Sequence, residues 1–412
     1  MTQPCAADTH SLPATGDAQH FSGLVWLLAG CMMIQPLSTD LYLPSLPHIA
    51  TAFGSSPAGA QKTLSLFMLG FASVQLLSGP LSDRWGRRPA LLAGFLVFIL
   101  ASVACALAPT IDALITGRFM QAVGCCTIVV VARAVINDTQ PGIGGALIMA
   151  RVSSIYALGP ICGPLLGGYL QVAFGWRAAF VVLSLLGIAL GALAFFRLPE
   201  TNRSRNLHAL NPGRFVGNYA KIAGSAHFWA CTLPGALSFG SIFVYLSGSA
   251  FLLINVFFVP TAYVGACFAL SAGGYWCGTV ICRRHLHRHG IDRTLRLGAN
   301  ASFAACLLFP ALVVGGLAHW AALLFAQCLV MLAHGIGFPC AQATAVAPFP
   351  ANAGAAAALM GAVVILFSFV VGTLVGATYD GTPYPIGIAS AAIGLLTLAC
   401  SRGLERFRIR TA

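Results

Sequence analysis

Apolar residues run along this chain in stretches close to the roughly 20 residues a helix needs to cross hydrocarbon, and short segments rich in Gly, Pro and Arg separate them. Ala90 to Ala108 and Trp176 to Phe196 are two clear cases. A backbone in lipid finds no outside hydrogen-bond partner, so each run is predicted to be a helix. The weak alternation of an outer-membrane barrel is absent from the pattern. The runs predict twelve spans, near 22–46, 60–82, 90–108, 111–133, 143–170, 176–197, 226–248, 261–283, 294–316, 319–345, 352–376 and 383–402. Residues 1–20 are polar, carry no Lys or Arg, and read as a cytoplasmic tail and not as a signal peptide with a positive n-region.

Composition agrees with the pattern: 58% of residues are hydrophobic and 8% charged, against about 25% charged in a soluble domain. The net charge of +12 suggests a nucleic-acid partner until the basic residues are placed. Lys62 and Arg177 fall on one side of the predicted spans and Arg118 lies deepest inside one, whereas the rest lie toward the other side, Arg151 and Arg296 within the ends of spans five and nine. That is the positive-inside pattern; it puts both termini in the cytoplasm and leaves no call for nucleic acid. The 14 cysteines lie mostly within apolar runs, form no CxxC pair, and read as small packing residues. His285, His287 and His289 alternate in RRHLHRHG, which a basic cytoplasmic loop explains without a metal, and no cofactor is expected.

The longest polar stretch between spans contains Glu200, Arg203, Arg205, Arg214 and Lys221 and divides the helices six and six. The expected organisation is a tail (1–20), a first bundle (21–198), a cytoplasmic linker (199–225), a second bundle (226–402) and a tail (403–412). Gly79 to Pro89 after span two and Gly278 to Arg293 after span eight are faint copies of one basic turn. An all-α integral membrane fold of two pseudo-symmetric six-helix bundles, with substrate bound between parallel halves, is one large transporter architecture.

Four features carry chemistry. The loop GPLSDRWGRRPA sets one acid among three arginines: Gly79 lets a helix end pack closely, Asp83 pairs with an arginine or sits at a helix terminus, and Gly86 permits a tight turn. Arg84, Arg87 and Arg88 complete the basic set, and Pro89 opens the next helix. In span four, Arg118 lies inside an apolar run, where a charge costs at least about 2.5–3.5 kcal/mol, so it calls for a cavity and a partner. Asp40 is seven residues before Pro47 and Arg118 seven after Ile111, which places both roughly 10 Å below the same surface. Gln121 shares the face of Arg118. Burial favours a neutral carboxyl and a nearby cation a charged one, so relative movement of Arg118, or arrival of substrate, would switch the protonation of Asp40. A static ion pair, or an Asp40 that reaches the interface, is the competing reading. Span five reads ALGPICGPLLGGYL: Gly159, Gly163 and Gly167 line one face that another helix can approach, and Pro160 and Pro164 bend it. Generic small-residue packing explains these glycines equally well. Fourth, Tyr42, Tyr156, Phe243, Tyr245 and Tyr275 are candidates to line a greasy cavity, with His334 as a titrating or substrate-contacting group; packing against lipid or neighbouring helices is the alternative for each.

The loop G-x-L-x-D-R-x-G-R-R-P resembles the signature between helices two and three of the major facilitator superfamily. The double GP of span five resembles the antiporter motif of its exporters. Together with STDLYLPSLP, GRFMQAVG, FGWRAAF, LPET and PFPANAGAAAALMG, these motifs resemble the bicyclomycin, chloramphenicol and florfenicol resistance branch of the drug:proton antiporters. The resemblance implies the major facilitator fold, Asp40 as proton and substrate carboxylate, Arg118 as its helix-four partner, and Asp83 with Arg87 as a cytoplasmic gate. It implies proton-driven export of drug-like molecules across a bacterial inner membrane by a chain that works as a monomer. The chain departs from some relatives where Cys31, Met32 and Met33 replace a second embedded acid, and no span of the second half holds an acid. One-proton exchange of neutral or singly charged amphiphiles is therefore expected. Export of a specific metabolite, such as a nucleobase or amino acid derivative, is the alternative. An enzyme would need paired acids, a metal set or a nucleophile with its base inside the spans, and the residues offer none.

Overall fold

A computed structural model describes residues 15–139, 148–149, 151–152, 155–156, 158–202, 205–206 and 210–411. Regular structure among these residues is helical throughout. Ten of their helices are long and apolar enough to cross a membrane. One of the ten, Thr261–Val314, is two spans: it breaks at Gly290, whose φ of +76° suits only a residue without a side chain. Spans eight and nine are thus joined by a helical basic turn with one glycine hinge, where the sequence predicted a loop. Span five supplies the twelfth helix through Gly159–Phe174, and the earlier part of its predicted range lies mostly outside the described residues.

Local chemistry sets the ends. Ser56 accepts a hydrogen bond from the Gly59 amide and Pro57 opens span two, Pro57–Trp85; Gly86, at φ +107°, ends it and lets span three, Arg87–Ala106, begin at once. Span four is Ile111–Thr139, span six Arg177–Arg197, span seven Ala226–Val256, span ten Trp320–Val346, span eleven Ala353–Thr378 and span twelve Tyr384–Arg402. Six spans precede and six follow a connecting segment that contains a short amphipathic helix, Pro212–Ala223. That helix touches both halves. The Tyr219 hydroxyl donates to the Leu76 carbonyl of span two (3.1 Å), and Ile222 is buried against Phe228 and Ala345 of the second half. Burial pushes the Tyr219 phenol up to about 12.

Span one differs most from its prediction. Its helix Thr15–Asp40 gives way to a turn and a short 3-10 segment, Leu43–Ser45, and resumes over Leu46–Ala52. Pro44 and Pro47 lack the amide hydrogens a continuous helix needs here. The span therefore reaches Ala52 and not residue 46.

The halves meet closely at the end remote from the connecting segment, the far face. There span five abuts the start of span eight so tightly that a Cβ on Gly265 would collide with the Pro164 carbonyl. Spans two and eleven form a second seam in antiparallel register. Gln61 faces Gly376, Ser65 faces Gly372 and Gln75 faces Gly361; a Cβ on Gly376 or Gly372 would lie 2.6 Å from Gln61 Oε1 or 2.8 Å from Ser65 Oγ. Both amide atoms of Gln61, the Ser65 hydroxyl and Gln75 Oε1 are buried without a hydrogen-bond partner. Such groups each cost about 1–3 kcal/mol, so this seam holds the far face shut less firmly than an apolar one would. Gln61→Met, of similar length and without polar atoms, is expected to raise the thermal unfolding midpoint of the detergent-solubilised protein by several degrees. A lowered midpoint would mean that the amide is satisfied.

At the opposite end, the linker face, a vestibule of about 570 Å³ lies between span two, span four, span eleven and the linker helix. The conformation is closed at the far face and hollow at the linker face.

Candidate functional site

Asp40 and Arg118 are the charged side chains buried among the described residues, and they do not pair. The break in span one bears on this: its helix ends at Asp40, and the turn that follows brings the Tyr42 ring, not the Asp40 carboxylate, onto Arg118. Arg118 is 0% exposed. Its guanidinium carbon sits 4.2 Å from the ring centroids of both Tyr42 and Phe67 and 5.7 Å from that of Phe180. Nη1 donates to Gln121 Oε1 (2.5 Å), Gln121 Nε2 donates to Ser102 Oγ (2.8 Å), and Ser102 donates to the Phe98 carbonyl (2.6 Å). Nε and Nη2 have no hydrogen-bond partner. The expected sharing of a face by Arg118 and Gln121 is realised. Ring faces, and not a carboxylate, stabilise the cation.

Asp40 lies where span one unwinds, and its carboxylate accepts from the Thr39 hydroxyl (2.9 Å). It lines a cavity of about 200 Å³ between the two halves. From the first half come Gln35, Thr39, Tyr156, Pro160 and Pro164; from the second, Phe239, Phe243, Tyr275, His334 and Phe338 among others. Of the candidate lining residues, Tyr156, Phe243, Tyr275 and His334 border this cavity. Tyr42 and Tyr245 do not line this cavity. Tyr42 falls in the unwound turn, which swings it into the first half against Phe180 and Arg118. On span seven the cavity takes Phe239, Ile242, Phe243 and Leu246, one helical face; Tyr245 lies off that face, packed on Phe309 with its hydroxyl 3.4 Å from Ser390 Oγ.

The span-five glycines seat that helix on span one. A Cβ on Gly159 would lie 2.6 Å from Pro36, one on Gly163 3.0 Å from the Asp40 Cβ, and one on Gly167 would strike the Leu41 carbonyl. The stripe is thus the surface against which Asp40 and its break are held.

At the linker face Asp83 pairs with Arg87 (2.5 Å), one turn apart, and Arg87 also reaches Asp138 at the end of span four (2.8 Å) and Ser82 Oγ (2.6 Å). Glu200, in LPET after span six, accepts from the Arg87 amide (2.9 Å) and the Arg88 amide (3.3 Å), so a carboxylate caps the positive end of span three. Arg88 donates to the Phe195 carbonyl (2.8 Å), and Arg84 is exposed. Gly79, Asp83 and Arg87 line the vestibule; any Cβ on Gly86 would meet Glu200. These partners belong to the first half, save Glu200, which opens the linker. Asp138 and Glu200 carry roles the motif alone did not assign. Asp380, by contrast, stands in the turn before span twelve, where the Thr382 amide and hydroxyl hold its carboxyl below the usual range.

The Major Facilitator Superfamily family model matches residues 28–373. The chain is 26% identical to a bicyclomycin resistance protein homolog of Haemophilus influenzae, covering 86% of this chain and 89% of that one. It is 30% identical to the multidrug resistance protein MdtL of Salmonella paratyphi B, covering 80% and 82%. Among solved structures, a D-xylose-proton symporter superposes with a TM-score of 0.73 at 14% identity, covering 92% of this chain and 97% of the symporter, which speaks for the fold alone. A family model over most of the chain and relatives that match it over most of their length establish that this multi-pass membrane protein belongs to the major facilitator superfamily of transporters, on the drug-resistance branch that its sequence resembles.

Proposed function

We propose that this chain exports drug-like small molecules in exchange for protons across a bacterial inner membrane, with its linker face and both termini in the cytoplasm and its two halves, 21–198 and 226–402, rocking as a monomer about the central cavity. One observation carries the reading: Asp40, the acid buried in the spans, lines a cavity walled by both halves, with a hydroxyl as its partner and no cation. A carboxyl so placed changes its charge as water or an amphiphilic cation reaches it from one side or the other. The bicyclomycin and multidrug resistance relatives suggest the kind of cargo. Asp83 and Arg87 act as the gate of the linker face, and Arg118 with Gln121 as a reserve of positive charge beside the unwound turn.

The test uses inverted membrane vesicles with an acid interior, supplied with chloramphenicol, bicyclomycin, a cationic dye and a purine. Uptake of at least one compound is expected to follow the gradient and to vanish when a protonophore collapses it. Uptake indifferent to the gradient would remove proton coupling.

A further inference from the structure

The two walls of the central cavity differ in chemistry. The first-half wall carries the hydrogen-bonding groups Gln35, Thr39 and Asp40; the Gln35 carbonyl oxygen already accepts from the Tyr156 hydroxyl (3.4 Å). The second-half wall is aromatic and centred on His334. Its imidazole stacks on Phe338 (centroids 4.6 Å apart, planes 28° apart), lies 5.8 Å from Tyr275 at 31°, and 5.7 Å from Phe239 at 58°. His334 Nδ1 is 3.0 Å from Ser238 Oγ, which fixes the ring and leaves Nε2 without a partner. Ser271, on the same wall, has spent its hydroxyl on the Phe268 carbonyl (2.7 Å).

We propose that His334 determines specificity: Phe338 and Tyr275 already cover its ring, so it offers its Nε2 edge from an aromatic wall, against which a small, flat aromatic or heteroaromatic solute packs with its hydrogen-bonding edge on Nε2 and its opposite end facing Thr39 and Asp40. An aromatic wall favours flat rings over saturated polycycles of equal size, because ring–ring contact adds to simple burial. The volume, about 200 Å³, is below the usual 300–1,000 Å³ of drug pockets, which suits one or two fused rings. A single ring nitrogen held by a partner at its other end is a directional group, and a site built to bond a substrate edge discriminates against analogues that lack it. The inference rests on the export reading only for the identity of the cavity as the transport site.

Binding, measured apart from transport, tests it. Equilibrium dialysis of the purified full-length protein in detergent would use adenine, 8-hydroxyquinoline and bicyclomycin, which has no aromatic ring. The two flat probes are expected to bind at least about tenfold more tightly than bicyclomycin. His334→Leu should weaken them by about tenfold or more, with bicyclomycin changed less than twofold. His334→Phe should restore 8-hydroxyquinoline more than adenine, because it returns the ring without the nitrogen. Should the Leu variant fail to fold, Ser238→Ala, which frees the imidazole to rotate, should still weaken adenine severalfold. Tighter binding of bicyclomycin than of either flat probe, or flat-probe affinities unmoved in the folded variants, would overturn the proposal. Flat-probe binding without gradient-driven uptake would instead sink the proton-coupled reading and leave this one standing.

Discussion

Asp40→Asn is expected to abolish gradient-driven accumulation of substrate in inverted vesicles while the protein still inserts, folds and exchanges substrate down its own gradient. Asparagine has the shape of aspartate and still offers a carbonyl oxygen to the Thr39 hydroxyl, so the seat of the side chain beside Gly163 is kept. Only the ability to take and release a proton is lost. One pH unit is worth about 1.4 kcal/mol per proton, a tenfold concentration ratio in one-for-one exchange of a neutral substrate. The wild type should therefore accumulate its substrate severalfold when a unit gradient is imposed, and the variant should stop at equal concentrations on both sides. Counterflow, the exchange of labelled for unlabelled substrate at equal pH, should survive. If the variant accumulates substrate as the wild type does, Asp40 is not the coupling group.

Parts of this arrangement are legible in the order of residues alone. Apolar runs announce spans because lipid forces them to be helices, and the glycine spacing of span five announces a close-packed face. That face does press on span one, at Pro36, Asp40 and Leu41. The unwound turn was harder. Pro44 and Pro47 were visible, but a proline reads equally as the end of a span or as a break within one, and the helix in fact breaks there and resumes to Ala52. The pairing inferred from depth assumed a continuous helix, whereas the turn after Asp40 sets Tyr42 against Arg118. The seam of Gln61, Ser65 and Gln75 was not legible at all, since each residue alone is an ordinary polar position in an apolar run. It takes the register of span eleven to show that each sits over a glycine. Asp138 and Glu200 were hidden for a related reason: their partner Arg87 lies 51 and 113 residues away in sequence, and only packing brings them together.

Arg118 makes the strongest case for a residue kept for function against its own cost. Burying an arginine in the membrane costs at least about 2.5–3.5 kcal/mol. Against that stand two ring faces at 4.2 Å, each worth up to about 2 kcal/mol when dry, and one charged hydrogen bond worth about 1.5–3 kcal/mol. Those gains sum to at most about 5.5–7 kcal/mol and the cost is a lower bound, so the net is a small remainder, and Arg118→Met, which refills the slot between Tyr42 and Phe67 with flexible apolar atoms, is expected to leave the unfolding midpoint within a few degrees. Transport should nonetheless fall at least about tenfold. Tyr42 belongs to the turn that follows Asp40, so any reshaping of that turn disturbs the cage and frees a cation whose Nε and Nη2 already lack partners. A methionine has nothing to offer the ionised carboxyl at that moment. Lysine has the charge but not the flat face that fits between two rings, so Arg118→Lys should also be impaired, though less than Met. Thermal unfolding and gradient-driven uptake measured on the same preparations separate the cases. A structural role predicts that stability and transport fall together, whereas a coupling role predicts that transport falls alone.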